Sequence, residues 1–199
     1  QYINKDAKLI TYRYFFIRKL VFIRETDATV LFPGGFGTLD EAYECLTLLQ
    51  TGRAYPRPVV LMEAKESMFW EEWLGFFDKV MLRDKYISPD DLRLLKICKT
   101  PEEACAYIKK FYSNYHSIRY FDDNKTVIRL KRSISSEKIK TLNTKFSDIL
   151  DDKIIPVDAN DEEKAMKDVV RLPRLLLPFN QINYGRLLDL IFEINEENL

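Results

Sequence analysis

The sequence is poor in the residues that hold structural metals and disulfide frameworks. Its 199 residues include three cysteines and one histidine, His116. The cysteines, Cys45, Cys98 and Cys105, form neither a CxxC pair nor the Cys/His spacing of a zinc site. We therefore expect reduced thiols, no disulfide framework, no metal and no other cofactor.

Net charge and long apolar runs are also missing. The 31 basic and 31 acidic residues cancel, so no overall field favours nucleic acid or an anionic membrane as a partner. No apolar stretch approaches the ~20 residues of a membrane-spanning helix, and no signal peptide precedes the first expected strand. A cytoplasmic location is the expectation.

Glycine is scarce, yet three of the six glycines fall within four positions. They belong to Pro33-Gly34-Gly35-Phe36-Gly37-Thr38-Leu39-Asp40-Glu41, which follows the apolar run 28–32. Glycines let a backbone turn sharply, and the unpaired N–H groups at a helix start favour an anion such as phosphate. Thr38 is the predicted N-cap, with Glu41 as its capping-box partner. The local pattern leaves open whether Glu41 caps the helix or does chemistry.

Strands and helices alternate through the first half of the chain. We expect strands at 8–13, 28–32, 58–62 and 95–99, and helices at 14–26, 39–51, 68–83 and 101–112, with a short helix starting at Ser88. This alternation predicts an α/β fold with a parallel sheet. We assign residues 1–115 to this domain.

The pattern changes after Ser113 to that of a smaller appended α+β module, residues 116–199. The expected order is strands 117–121 and 126–131 joined by a turn at 122–124, a helix from Ser135 or Ser136 to about Ile149, a strand at 153–157, a charged connector at 158–167 and a helix at 183–193. The module has no chemical motif. Its arginines, Arg171, Arg174 and Arg186, are expected to be solvated or ion-paired.

Arg18 and Lys19 are embedded in the apolar helix predicted at 14–26. Charges are rarely buried without a partner. One interpretation is that both side chains extend to water along their aliphatic stems. The other is that Arg18 contacts a phosphate or a carboxylate.

Phe16-Ile17-Arg18-Lys19, followed by the stretch 33–41, resembles the LOG ("lonely guy") family, long described as possible lysine decarboxylases. The family pattern is an Arg-Lys pair and then PGGxGTxxE, and every fixed position matches here. The resemblance continues through Gln50-Thr51-Gly52 to about residue 112. It implies a Rossmann-like sheet and a homodimer. The last ~85 residues resemble additions in longer bacterial relatives.

The resemblance also implies an activity and its residues. Family members hydrolyse the N-glycosidic bond of nucleoside 5′-monophosphates, releasing a free base and ribose 5-phosphate. Arg18 and Glu41 would form the catalytic pair. The phosphate or nucleotide would be held by residues of the Arg-Lys pair and the glycine stretch, namely Lys19, Gly34, Gly35, Gly37 and Thr38.

This chemistry agrees with the residue types. N-glycosidic cleavage passes through an oxocarbenium-like sugar, which a carboxylate such as Glu41 can stabilise, or for which it can activate water. A guanidinium such as Arg18 can grip phosphate or orient that carboxylate. A pyridoxal-type decarboxylase needs a Schiff-base lysine and ring-binding partners, which Lys19 alone does not supply. A non-catalytic nucleotide or cofactor carrier on the same fold is the alternative, and a fragment that only dimerises is a third.

One departure from the family pattern concerns the start of the sheet. Family members carry further strands and a second glycine-containing segment before the Arg-Lys pair, whereas 17 residues precede Arg18 here. We expect a missing N-terminal segment of the same protein to complete the Rossmann-like sheet, which is N-terminally incomplete in this chain. Without it, Ile10, Val30 and Leu31 would lie at an exposed apolar face or edge of the sheet. The chain alone would then be insoluble, or would need a separate N-terminal fragment to become soluble and active.

Overall fold

The structure, a computed structural model, describes residues 12–121, 125–165 and 168–196. The elements of its first half are α1 (Phe15–Glu25), β1 (Thr29–Leu31), α2 (Phe36–Gln50), β2 (Val59–Met62), α3 (Phe69–Phe76), a π-helical turn (Phe77–Leu82), a 3-10 helix (Pro89–Leu94), β3 (Leu95–Cys98) and α4 (Pro101–Phe111). Across the described ranges, no helix is both long and apolar enough to cross a membrane.

The three strands of this half form a parallel sheet in the order β1-β2-β3. All four residues of β2 are buried, because both faces of this central strand are covered. Val59 and Leu61 join the main core, whereas Val60 and Met62 pack with α4 on the opposite face. The predicted α/β fold with a helix-flanked parallel sheet is confirmed. Within the described residues, β1 is an edge strand.

The second half forms an antiparallel sheet with helices. Its elements are β4 (Tyr115–Tyr120), β5 (Thr126–Leu130), α5 (Ser136–Lys145), a 3-10 turn (Ser147–Ile149), β6 (Ile155–Val157), α6 (Asp161–Lys164), β7 (Arg174–Leu177) and α7 (Tyr184–Asn195). The strand order is β4-β5-β7-β6. The predicted α+β character is therefore confirmed, while the boundary at 115/116 stays a prediction.

Several boundaries differ from those predicted. The helix predicted at 39–51 begins at Phe36, the segment 68–83 is divided between α3 and the π-helical turn, and α5 ends at Lys145. The connector predicted at 158–167 contains α6, in which Glu163 is buried and forms ion pairs with two arginines. Strand β7 was not predicted, although its short apolar run is consistent with a buried strand. Most of the strand predicted at 8–13 and the turn at 122–124 lie outside the described residues.

Helix α7 packs closely on the first half of the chain. Gly52 ends the turn after α2 with φ +68°, and a Cβ there would lie 1.9 Å from the hydroxyl oxygen of Tyr184. Gly185 is equally constrained, since its Cβ would lie 1.8 Å from the carbonyl oxygen of Asp90. Both glycines permit a close approach that any side chain would block. As a result, buried residues of both halves join one apolar core.

Candidate functional site

The glycine-rich loop connects the carboxyl end of β1 to the first turn of α2. Gly35 is the N-cap, and no side chain caps the helix. The amide of Leu39 makes a backbone hydrogen bond to the carbonyl of Gly35, at 3.3 Å. The amides of residues 36–38 precede this bond and have no acceptor within the helix. Residues 32–37 are exposed, so these N–H groups and the positive end of the helix dipole can meet an anion.

The predicted N-cap role of Thr38 is wrong. Thr38 is the third helical residue, because the extended backbone of Gly35 (φ −85°, ψ −159°) already starts the helix. The Thr38 hydroxyl packs instead beside Gly34, where a Cβ would lie 2.3 Å from Thr38 Oγ1. Gly34 must therefore be glycine for this loop shape. Glu41 is the sixth residue of α2, whereas a capping-box glutamate is the third. Glu41 is therefore not a capping-box residue.

Glu41 lines a cavity of about 260 Å³ between α1, α2 and β1. Lys19, Glu44 and Cys45 share the lining, together with the residues of β1. The cavity lies along the edge of β1, where Val30 is partly exposed. Burial raises the pKa of the Cys45 thiol, which lies 3.7 Å from Thr29 Oγ1. Cys45 is thus a neutral wall residue, and the carboxylates supply the chemistry of the cavity.

Lys19 ties α1 to α2 through two ion pairs. Its ammonium lies 2.7 Å from Asp40 Oδ2 and 2.6 Å from Glu44 Oε2. The hydrogen bond to Asp40 and then the one to Glu44 raise the pKa of Lys19. Sequence analysis missed both partners, although their i,i+4 spacing on either side of Glu41 puts them on one helix face. The phosphate-binding role of Lys19 stays a prediction.

The structure brings some of the predicted site residues together. Glu41 and Lys19 line the cavity, whereas Arg18 neighbours Lys19 on α1, is half-buried, and is not among the described residues of the lining. Gly37 precedes Glu41 by four residues on the same helix, which separates them by roughly 6 Å along its axis. The amides at the start of α2 and the Glu41 carboxylate could therefore contact the two ends of one ribose phosphate.

A second charged cluster follows β2 and β3 at the same end of the sheet. Buried Glu63 lies 2.8 Å from Lys99 Nζ, which also lies 2.5 Å from Glu71 Oε1. Burial would raise the pKa of Glu63, but contacts with Glu71, Lys99, the Trp70 amide and Ser67 lower it to about 2. Both carboxylate oxygens of Glu63 accept hydrogen bonds within the protein, which indicates a structural role. A glutamate directly after a buried strand was the signal that sequence analysis left unused.

The described ranges contain no cluster of side chains arranged to bind a metal ion. Nowhere in them do three or more His, Cys, Asp or Glu side chains converge as they would around a metal ion. The carboxylates Asp40 and Glu44 are directed to Lys19 instead. The groups of the site that could act on a ligand are therefore the backbone amides at the start of α2, the carboxylate of Glu41 and the cationic side chains of α1.

Comparison with known proteins finds similar sequences for the first half of the chain. A family model described as "Possible lysine decarboxylase" matches residues 2–108. The chain is 29% identical over 106 residues to the cytokinin riboside 5′-monophosphate phosphoribohydrolase LOG of Oryza sativa subsp. japonica, covering 53% of this chain and 42% of that protein. It is 29% identical over 101 residues to a protein of the same name class from Arabidopsis thaliana, covering 51% and 45%. The chain thus spans less than half the length of these curated relatives.

Proposed function

The chain belongs to the possible lysine decarboxylase (LOG) family, and from this premise we propose that it hydrolyses the N-glycosidic bond of nucleoside 5′-monophosphates. The products would be a free base and ribose 5-phosphate. The relatives from rice and Arabidopsis thaliana are named phosphoribohydrolases of cytokinin riboside 5′-monophosphate. Their names support the reaction type, and we leave the base of this chain's substrate open.

The observation that carries the proposal is the position of Glu41 one turn beyond an uncapped, exposed helix start. In our proposal the substrate phosphate accepts hydrogen bonds from the amides of residues 36–38. The ribose then extends toward the cavity that Glu41 lines. There the carboxylate stabilises the positive charge that develops on the sugar, or removes a proton from the attacking water.

The cations of α1 act on the same substrate in this proposal. Arg18 grips the phosphate or orients Glu41 through charge-assisted hydrogen bonds. Lys19 holds α1 against α2 through Asp40 and Glu44, and this fixes the position of Arg18 relative to α2. A Schiff-base role for Lys19 is disfavoured, because its two ion pairs raise its pKa and stabilise the charged, non-nucleophilic amine.

We also propose that this face of the protein is covered in the assembled enzyme. Several large apolar side chains of α1 and the loop are exposed, and Phe36 is 92% exposed. An exposed apolar patch next to a site marks an interaction surface. A second copy of the protein, as the family's homodimer implies, or an N-terminal segment of the same protein would bury these rings.

The test measures release of free base from a panel of nucleoside 5′-monophosphates by chromatography. Glu41→Gln should fold normally and lower base release about a hundredfold or more, as is typical for loss of an acid–base group. Glu102→Gln is the matched control, because Glu102 is an exposed carboxylate in the first turn of α4. Unchanged activity in Glu41→Gln would contradict the proposal. Binding of nucleotides without any base release would instead favour a carrier.

A further inference from the structure

We propose that a pocket at the amino end of the parallel sheet, lined by Arg57 and two further arginines, binds a phosphorylated molecule of nucleotide size. The pocket lies between α1, the turn after α2 and β4, and has a volume of about 580 Å³. Ligand pockets for small molecules typically enclose about 300–1,000 Å³. The space therefore suits a nucleotide.

Arg57 is the feature that points to an anion. It is 5% exposed, and its Nη1 donates a hydrogen bond to the neutral hydroxyl of Thr26 at 3.2 Å. Its buried Nε has no hydrogen-bond partner, and no carboxylate of the described residues forms an ion pair with it. Buried charges in proteins are paired. An oxyanion in the pocket would supply the missing counter-charge for this guanidinium.

The other charged residues of the lining are also arginines, and the lining includes two tyrosines. Arg24, which also pairs with Glu25, and Arg53 line the pocket, and no described aspartate or glutamate lines it. Tyr120 stacks on Tyr55 with an interplanar angle of 8°, and its buried hydroxyl has no hydrogen-bond partner among the described residues. Burial raises the pKa of Tyr120, so this hydroxyl is a neutral donor. Guanidinium groups suit phosphate, and tyrosine rings suit a flat base.

The pocket is distinct from the glycine loop. Arg57 precedes β2, whereas the loop follows the carboxyl end of β1. In a parallel sheet these are opposite ends of the strands. The pocket adjoins the Glu41 cavity through Ile23 of α1, and in our proposal it is a second phosphate site, whether or not the loop carries the proposed hydrolysis.

Equilibrium dialysis with radiolabelled AMP tests the assignment. In the Glu41→Gln background, which prevents consumption of the probe, we expect two AMP molecules per chain. Adding Arg57→Met should remove one, and adding Arg53→Gln should weaken that same site at least about tenfold, because hydrogen bonds to charged groups are strong. Arg83→Gln, which alters an exposed arginine paired with Asp84, is the control that should leave binding unchanged.

Each outcome separates the two sites. One AMP per chain that is lost on Arg57→Met supports this pocket and shows that AMP does not bind at the loop. AMP binding that neither Arg57→Met nor Arg53→Gln alters would overturn the inference. If Arg57→Met does not fold, Arg53→Gln and Tyr120→Phe decide, and unaltered binding in both would equally overturn it. Inorganic phosphate should compete for the Arg57 site more strongly than adenosine, and the reverse order would contradict a phosphate-directed site.

Discussion

The charged cluster in the second half of the molecule is closed, whereas the one beside the candidate site is open. Glu163, on α6, is 2% exposed and accepts hydrogen bonds from Arg129 Nε at 2.7 Å and Arg174 Nε at 2.9 Å. Arg174 also donates to backbone carbonyls, including that of Val169 at 2.7 Å. Each charged group is therefore hydrogen-bonded inside the protein, and two strands are joined to α6.

The Lys19 cluster has the opposite charge arrangement and a different setting. One ammonium there serves two carboxylates, and one of these, Asp40, is largely exposed. The cluster borders the cavity that Glu41 lines. The comparison teaches that enclosure, more than the number of ion pairs, separates a structural cluster from a candidate site. A closed cluster has no room for a ligand, whereas an open one leaves a carboxylate beside accessible space.

The largest effect on stability should come from breaking the closed cluster. Glu163→Gln leaves two buried guanidinium groups without a counter-charge, and we expect the free energy of unfolding to fall by about 3–5 kcal/mol. Urea denaturation measures it. Asp161→Asn, on the same helix, alters an exposed carboxylate and should change stability by less than about 0.5 kcal/mol. Equal effects of the two variants would refute the distinction.

The pH dependence of the unfolding free energy tests the closed Glu163 cluster in a second way. Burial would raise the pKa of Glu163, but its bonds to Arg129 and then the Asn160 amide and Arg174 outweigh burial and lower the pKa. A lowered pKa in the folded state stabilises the protein above the unfolded value near 4.5. The difference in unfolding free energy between the protein and Glu163→Gln should therefore persist at neutral pH and shrink below that value. A difference that grows with acid would be inconsistent with it.

A smaller effect is expected at the glycine loop. Gly34→Ala places a Cβ against the hydroxyl of Thr38, and overpacking of this kind costs about 1–3 kcal/mol. Gly35→Ala is the control, because nothing lies within 4 Å of its Cβ. Thermal unfolding compares them. Adding Thr38→Ala to Gly34→Ala should recover part of the loss, and no recovery would show that the contact with Thr38 is not the cause.

The open cluster should contribute least to stability. Lys19→Met keeps the apolar stem and removes the ammonium from partly exposed carboxylates, so we expect a loss of about 1 kcal/mol or less. Chemical denaturation at low and high salt measures it, and salt should reduce the difference. A loss as large as that of Glu163→Gln would make the two clusters equivalent and remove the contrast.

Local patterns predicted the parts of the fold that local physics determines. The apolar runs before Pro33 and after Arg57 predicted buried parallel strands, and the glycines between strand and helix predicted the loop. The pairing of Glu163 with Arg129 was not predictable, because nothing in the sequence links residues 34 positions apart. The partners of Lys19 were missed for the same reason. The Thr38 cap failed because glycine at 35 lets the helix begin earlier.

The central claim is that the start of α2 binds the phosphate of the substrate while Glu41 faces its ribose. A crystal structure with ribose 5-phosphate tests this most directly. We predict phosphate oxygens within hydrogen-bond distance of backbone amides in residues 34–38, and the ribose directed toward the Glu41 carboxylate. Ribose 5-phosphate bound elsewhere, with this loop free of lattice contacts and empty, would contradict the account.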